Sequence, residues 1–210
     1  LTGLVHTARV ANDGSLATRT RDTLKQSLAP KADGALHLTT MLDAARRAGG
    51  CQPLAFEVYF SSVTALVGNA GQTDYGTANG ALDGLAAARL GSGRSRAVIS
   101  VQWGPWAGHG MASTAQNRGG GTARAPYVPI EVEDALAHFD SALRRAAEES
   151  SKPFSSCVDD DEVSEVVPAA IGIVRFDASA LSDAARQSPF IRNATVLLSD
   201  ERDVGAIAAA

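Results

Sequence analysis

Residues 54–63 (LAFEVYFSSV) are apolar, β-branched or aromatic at nearly every position, with Phe56, Val58, Tyr59 and Phe60 at the centre. A run of this kind is stable only when both faces of the strand are covered, which is the condition of a central strand in a parallel sheet. Two further runs, 1–6 and 97–101, read as buried strands, the second ending at Trp103, Gly104 and Pro105. Between them, Leu24, Leu28, Leu36, Leu38 and Leu42 recur at helical spacing, and the break at Pro30 predicts two consecutive helices. Residues 75–90 form a helix rich in small residues, 131–149 an amphipathic helix and 169–176 a last strand. Strands alternating with helices predict an α/β, Rossmann-like fold, with a mostly parallel sheet and helices on both faces.

The chain has 210 residues, enough to bury a core without disulfides, and 45% hydrophobic with 20% charged residues describes a folded domain. A net charge of -4 offers no basic surplus for phosphates, so nucleic acid is not an expected partner. Cys51 and Cys157 form no CxxC pair and there are only four histidines, which gives no basis for a metal site. No apolar run approaches the ~20 residues that span a bilayer and no leader is visible, so no membrane partner and a cytoplasmic location are expected. The chain opens on Leu1 inside a strand-like run, and is expected to be cut from something longer.

In open α/β sheets ligands collect at the carboxyl ends of the strands. After the central run come Ser61 and Ser62; thirteen residues past Ser62 stands Tyr75, at a helix start, and one turn further on the same face Asn79. A hydroxyl at a strand end and a phenol at the next helix start can converge on one carbonyl oxygen. The phenol then serves as proton donor to a hydride acceptor, if a cation lowers its pKa from ~10. Lys31, at the start of the second helix, is the candidate cation. Each residue alone has an ordinary reading: a turn serine, a helix-start aromatic, a solvated lysine.

The blocks LAPKADGALHL, FSSVTALVGNAGQTDYGTANGALDGLAAARL and VISVQWGPWAGHGMA, in this order, resemble the ketoreductase domain of polyketide synthases and polyunsaturated-fatty-acid synthases, within the short-chain dehydrogenase/reductase group. The resemblance is close from residue 1 to about Met111 and weaker to about Ala194. It implies that Tyr75 donates the proton, that Ser62 hydrogen-bonds the substrate carbonyl, and that Lys31 and Asn79 complete a tetrad. It also implies NADPH as cofactor, with Ser61, Gly104, Pro105 and Trp106 beside it, and an acyl carrier protein that presents the β-ketoacyl substrate. Ordinary short-chain dehydrogenases have lysine four residues after the tyrosine; Asn79 stands there, so the charge must come from Lys31. Asp13 matches the last residue of a Leu-Asp-Asp motif in one subtype and position 67 is Val where the opposite subtype has Trp, which implies the D (3R) product, with Asp13 and Met111 on the substrate side.

The sequence departs from the family in places. Arg9 stands where the family has glycine, and the segment around residues 46–53 is several residues longer than expected. A Gly-rich strand–turn–helix for the pyrophosphate is absent, since GSGRSR (residues 91–96) follows a helix and precedes a strand. The chain therefore reads as the catalytic, carboxy-terminal half of a ketoreductase that lacks its N-terminal cofactor-binding strands, with that half and other synthase domains as partners. The expected division is a catalytic half over 1–194, with a lid at 107–127 and a solvated insertion at 150–166, and a linker over 195–210. Two other readings remain: a non-catalytic scaffold packing against a partner or carrier protein, and a free-standing dehydrogenase acting on a soluble alcohol.

Overall fold

The computed structural model describes residues 1–10, 12–50, 52–90, 92, 94–108, 127–149, 170–173, 175–176, 195–196 and 206–208. Met111, Cys51, the lid apart from its ends, the 150–166 insertion and the glycines of GSGRSR lie outside these residues.

Four strands, β1 (Gly3–His6), β2 (Leu54–Ser62), β3 (Ser95–Trp103) and β5 (Ala170–Ile173), lie side by side in that order and are all parallel. Val5 pairs with Val58 and Phe60 with Val101, so β2 has a strand on each side, as its composition requires. The period-2 alternation of side chains sends neighbouring residues to opposite faces. On one face Val58, Ile99, Val101 and Trp103 pack with Ile173 and with Ala135 and Ala146 of α5 (Val132–Glu149). On the other, Tyr59 and Val98 meet Ala35 of α2 (Gly34–Arg47) and Leu82 and Ala86 of α4 (Thr73–Arg89). Helices therefore cover both faces, and fully buried side chains such as Leu82 and Ile99 contribute about 1.5–3 kcal/mol apiece.

Three segments differ from the sequence expectation. Pro30 does not break the chain into separate helices: α1 (Arg21–Leu28), closed by a reciprocal Thr20–Thr23 capping box, runs through a π-helical turn at Ala29–Asp33 into α2. Proline cannot donate to the carbonyl four residues back and its ring crowds that carbonyl; a wider turn relieves the conflict without ending the helix. The stretch 195–210, expected as a linker, contributes β7 (Thr195–Val196) and β8 (Ala206–Ala208), which extend the sheet beyond β5 in antiparallel pairing. The strand expected over 169–176 divides between β5, in the main sheet, and β6 (Arg175–Phe176), which pairs with β4 (Tyr127–Val128). A short α3 (Thr64–Val67) joins β2 to α4. No helix among the described residues is long and apolar enough to cross a membrane.

Candidate active site

The π turn places Lys31 at the carboxyl end of β2. Its side chain is only 3% exposed, and its Nζ donates to the carbonyl of Phe60 at 2.5 Å, one residue before Ser61. The Lys31 carbonyl meets Nε2 of buried His6, from the end of β1, at 3.0 Å. Burial lowers the His6 pKa, and the neutral ring that results suits a hydrogen bond donated to that carbonyl. Burial first, and then the charge of Arg9, push the Lys31 ammonium down to about 8, against the pull of Asp83.

Tyr75 is the third residue of α4 and is half-buried. The Lys31 ammonium lies 5.8 Å from its ring centroid, and the Arg9 guanidinium carbon 4.4 Å from the same ring. Gly76 lets α4 approach closely: a Cβ there would stand 3.1 Å from the Thr64 carbonyl. Asp74, beside Tyr75 in the first turn, suits the positive end of the helix and pairs with half-buried Arg19 at 3.4 Å.

Asn79 is fully buried one turn on, and its Nδ2 donates to the backbone carbonyl of Tyr75 at 2.7 Å. It thus touches the Tyr75 main chain and leaves Oδ1 without a hydrogen-bond partner among the described residues. Ser61 Oγ donates to the Asn79 carbonyl at 3.3 Å, which ties the strand end to the helix. Ser62 Oγ accepts the Thr64 N–H at 3.2 Å, so its own proton is left to donate elsewhere.

The segment after β3 is anchored by its backbone. Gly104 N–H donates to the Ile173 carbonyl at 3.0 Å, the Pro105 carbonyl accepts from Ile130 at 2.9 Å, and Trp106 stands edge-on to Trp103 at 4.9 Å. Asp13 accepts from Gln72 Nε2 at 3.1 Å, and Gly14 N–H donates to the Gly71 carbonyl at 2.8 Å, where Gly71 has φ +76°. The loop carrying Asp13 therefore closes onto the turn that leads into Tyr75.

Lys31, Tyr75, Asn79, Ser61 and Ser62 thus gather around one strand end, while Met111 lies outside the described residues. The contact of Arg9 with the Tyr75 ring was not anticipated. Nor was Asp83, which accepts from Ser100 Oγ at 2.6 Å and Gln102 Nε2 at 2.9 Å and faces Lys31 electrostatically. Its signal is present in the spacing Tyr75, Asn79, Asp83, which stacks the three on one helix face.

A phenol beside two cations, a serine with a free proton and a buried amide oxygen without a partner among the described residues form a set of donors and one acceptor suited to a carbonyl substrate and to the hydroxyl-rich nicotinamide half of a dinucleotide. The KR domain family matches residues 1–108. The spectinabilin polyketide synthase system protein NorB of Streptomyces orinoci is 40% identical over 145 residues, 68% of this chain and 6% of its own length. The pikromycin polyketide synthase component PikAII of Streptomyces venezuelae is 37% identical over 150 residues, 69% of this chain and 4% of its own. The chain therefore spans only a small fraction of these curated relatives. Among solved structures, that of A-type ketoreductases from a modular polyketide synthase superposes with a TM-score of 0.68 at 26% identity, covering 90% of this chain and 34% of the other. With strand order, helix placement and sequence in agreement, the chain belongs to the ketoreductase domains of polyketide synthases, within the short-chain dehydrogenase/reductase superfamily.

Proposed function

We propose that this chain carries the proton-donating half of an NADPH-dependent β-ketoacyl reductase, acting in the cytoplasm on an acyl group held by an acyl carrier protein within a multidomain synthase. The observation that carries this reading is the approach of Lys31, held on the Phe60 carbonyl, to the ring of Tyr75 at the end of the central strand.

The residues supply the following chemistry. Ser62, its oxygen already accepting from Thr64, donates its proton to the substrate carbonyl oxygen. When bound, the nicotinamide would supply the hydride, and Ser61, Gly104, Pro105 and Trp106 are the residues that would hold it. Tyr75 gives its phenolic proton to the oxygen as negative charge develops there, and Lys31 stabilises the phenolate that remains. Asn79 fixes the first turn of α4, and with it the phenol, through the Tyr75 carbonyl. Asp13, whose loop closes against Gln72, is the residue this reading assigns to the substrate side, where it would direct the D (3R) product.

Among the described residues, no glycine-rich strand–turn–helix faces the site, and β1 has a partner on one side only. The pyrophosphate would accordingly be held by an N-terminal half outside this chain. Tight NADPH binding should require the complete domain, as fluorescence titration of this chain and of the domain would measure.

The test of the function is the reduction of a β-ketoacyl thioester by the complete domain with NADPH, followed by chiral chromatography. D-hydroxyacyl product is expected; predominantly L product would refute the role of Asp13, and no product would refute the reductase reading. One observation favours the scaffold alternative: Arg9 lies over the Tyr75 ring where the family has a glycine. Under that alternative the complete domain neither binds NADPH nor reduces a thioester.

A further inference from the structure

The loop after β1 brings a second cation to the phenol. The Arg9 guanidinium carbon, 4.4 Å from the Tyr75 ring centroid, is closer to it than the Lys31 ammonium at 5.8 Å. Arg9 is half-buried, and its Nε is shielded from solvent without a hydrogen-bond partner among the described residues. A guanidinium that has given up water at Nε needs compensation from its surroundings, and the negative face of an aromatic ring provides it.

We propose that Arg9 is a positioning residue of this site, holding a permanent positive charge against Tyr75 so that the phenolate left by proton donation is stabilised by two cations. The two are not equivalent. A guanidinium keeps its charge at every accessible pH, whereas the Lys31 ammonium loses its proton near pH 8. Below that pH both cations face the ring; above it Arg9 alone does. Among the described residues, the groups that act on Lys31 are Arg9 from the loop after β1, Asp83 and Tyr75 from α4, and His6 from β1. Of these Asp83 opposes Arg9, so removing Arg9 leaves Lys31 facing a net negative field and keeps it protonated to higher pH.

Only the consequence for turnover rests on the reductase reading; the charge coupling does not. Nuclear magnetic resonance titration of the Lys31 ammonium in the full polypeptide, across the neutral-to-alkaline range, measures that coupling without needing the buried side chain to be reached by a reagent, with exposed Lys25 as internal control. In Arg9→Met the Lys31 titration midpoint should move upward, so that the neutral fraction near pH 8 falls roughly two-fold or more, whereas Arg9→Lys should stay near the parent profile. Thioester reduction at neutral pH should fall about three- to tenfold in Arg9→Met and recover in Arg9→Lys. Superimposable Lys31 profiles for the parent and Arg9→Met, or turnover unchanged in Arg9→Met, would overturn the proposal. A shifted profile in a parent protein that reduces nothing would instead leave the two-cation arrangement standing and remove the reductase reading.

Discussion

Both ends of the β2–β3 pair bury charged side chains, and they treat them in opposite ways. Toward the amino ends, fully buried Glu57 accepts from Tyr59 at 2.6 Å, from Arg89 Nη2 at 2.6 Å, and from Ser95 and Arg89 Nε. Arg89 also reaches Asp43 at 3.0 and 3.2 Å. Burial alone would raise the Glu57 carboxyl, but the hydrogen bonds from Arg89, Ser95 and Tyr59 outweigh it and hold it below its ordinary value. At the carboxyl ends, by contrast, Asn79 Oδ1 and Arg9 Nε have no hydrogen-bond partner among the described residues.

The two tyrosines sharpen the contrast. Burial, followed by the hydrogen bond to Glu57, raises the Tyr59 pKa, which makes its phenol a poor acid. Tyr75 stands half-exposed beside two cations. A polar cluster whose members are all paired has nothing left to offer a ligand, and its effect is on folding; the cluster with open valences is where a substrate gains by binding.

The largest effect expected is on the paired end. Arg89→Ala strands the Glu57 carboxylate in the core and should cost about 3–5 kcal/mol in urea unfolding. A loss within the range of surface pairs, below about 1 kcal/mol, would show the network to be solvated. Next, Lys31→Ala should lower thioester reduction roughly 10²-fold. The parent enzyme should lose turnover as pH rises through about 8, because Lys31 is charged below that pH and neutral above it. That alkaline limb should be missing from the residual activity of Lys31→Ala, and its persistence would assign the limb to another group.

The smallest effect is acid sensitivity. The folded-state pKa values of Glu57 and Asp43 are depressed, so their contribution to stability is complete above the ordinary values of 4.5 and 3.8 and is lost as pH falls below them. Unfolding midpoints measured down an acid series should decline over that window in the parent, and less so in Glu57→Gln. Equal declines in both would place the acid sensitivity elsewhere.

Much of this architecture was legible in the sequence because its signals are local. The apolar run around Val58 demanded strands on both sides, and Tyr75 and Asn79 declared a shared helix face by their spacing. Long-range pairings left no such trace: Glu57 and Arg89 lie 32 residues apart, and a carboxylate inside an apolar strand gives no hint of its partner. Pro30 read as a break because local rules weigh the missing donor, whereas the packing of Lys31 against the Phe60 carbonyl stabilises a wider turn in its place. Strands of two and three residues, as at Thr195–Val196 and Ala206–Ala208, are too short to carry a periodic signal. Ser61, Ser62 and Lys31 stand out by their places at a strand end and a helix start, but each has an ordinary reading when taken alone, and only the resemblance gives them joint roles with Tyr75.

The central claim is that the open end of the sheet does the chemistry and the closed end maintains the fold. Removing one hydroxyl from each tests it most directly: Tyr75→Phe and Tyr59→Phe, each in the complete domain, assayed for NADPH-dependent thioester reduction and for thermal unfolding. Tyr75→Phe should lose roughly 10²-fold or more in turnover with an unchanged Tm. Tyr59→Phe should lower Tm, since it removes a buried hydrogen bond to a charged group, about 1–3 kcal/mol, while folded molecules keep their turnover. Near-parental turnover in Tyr75→Phe, or equal losses of turnover in the two variants, would contradict the account.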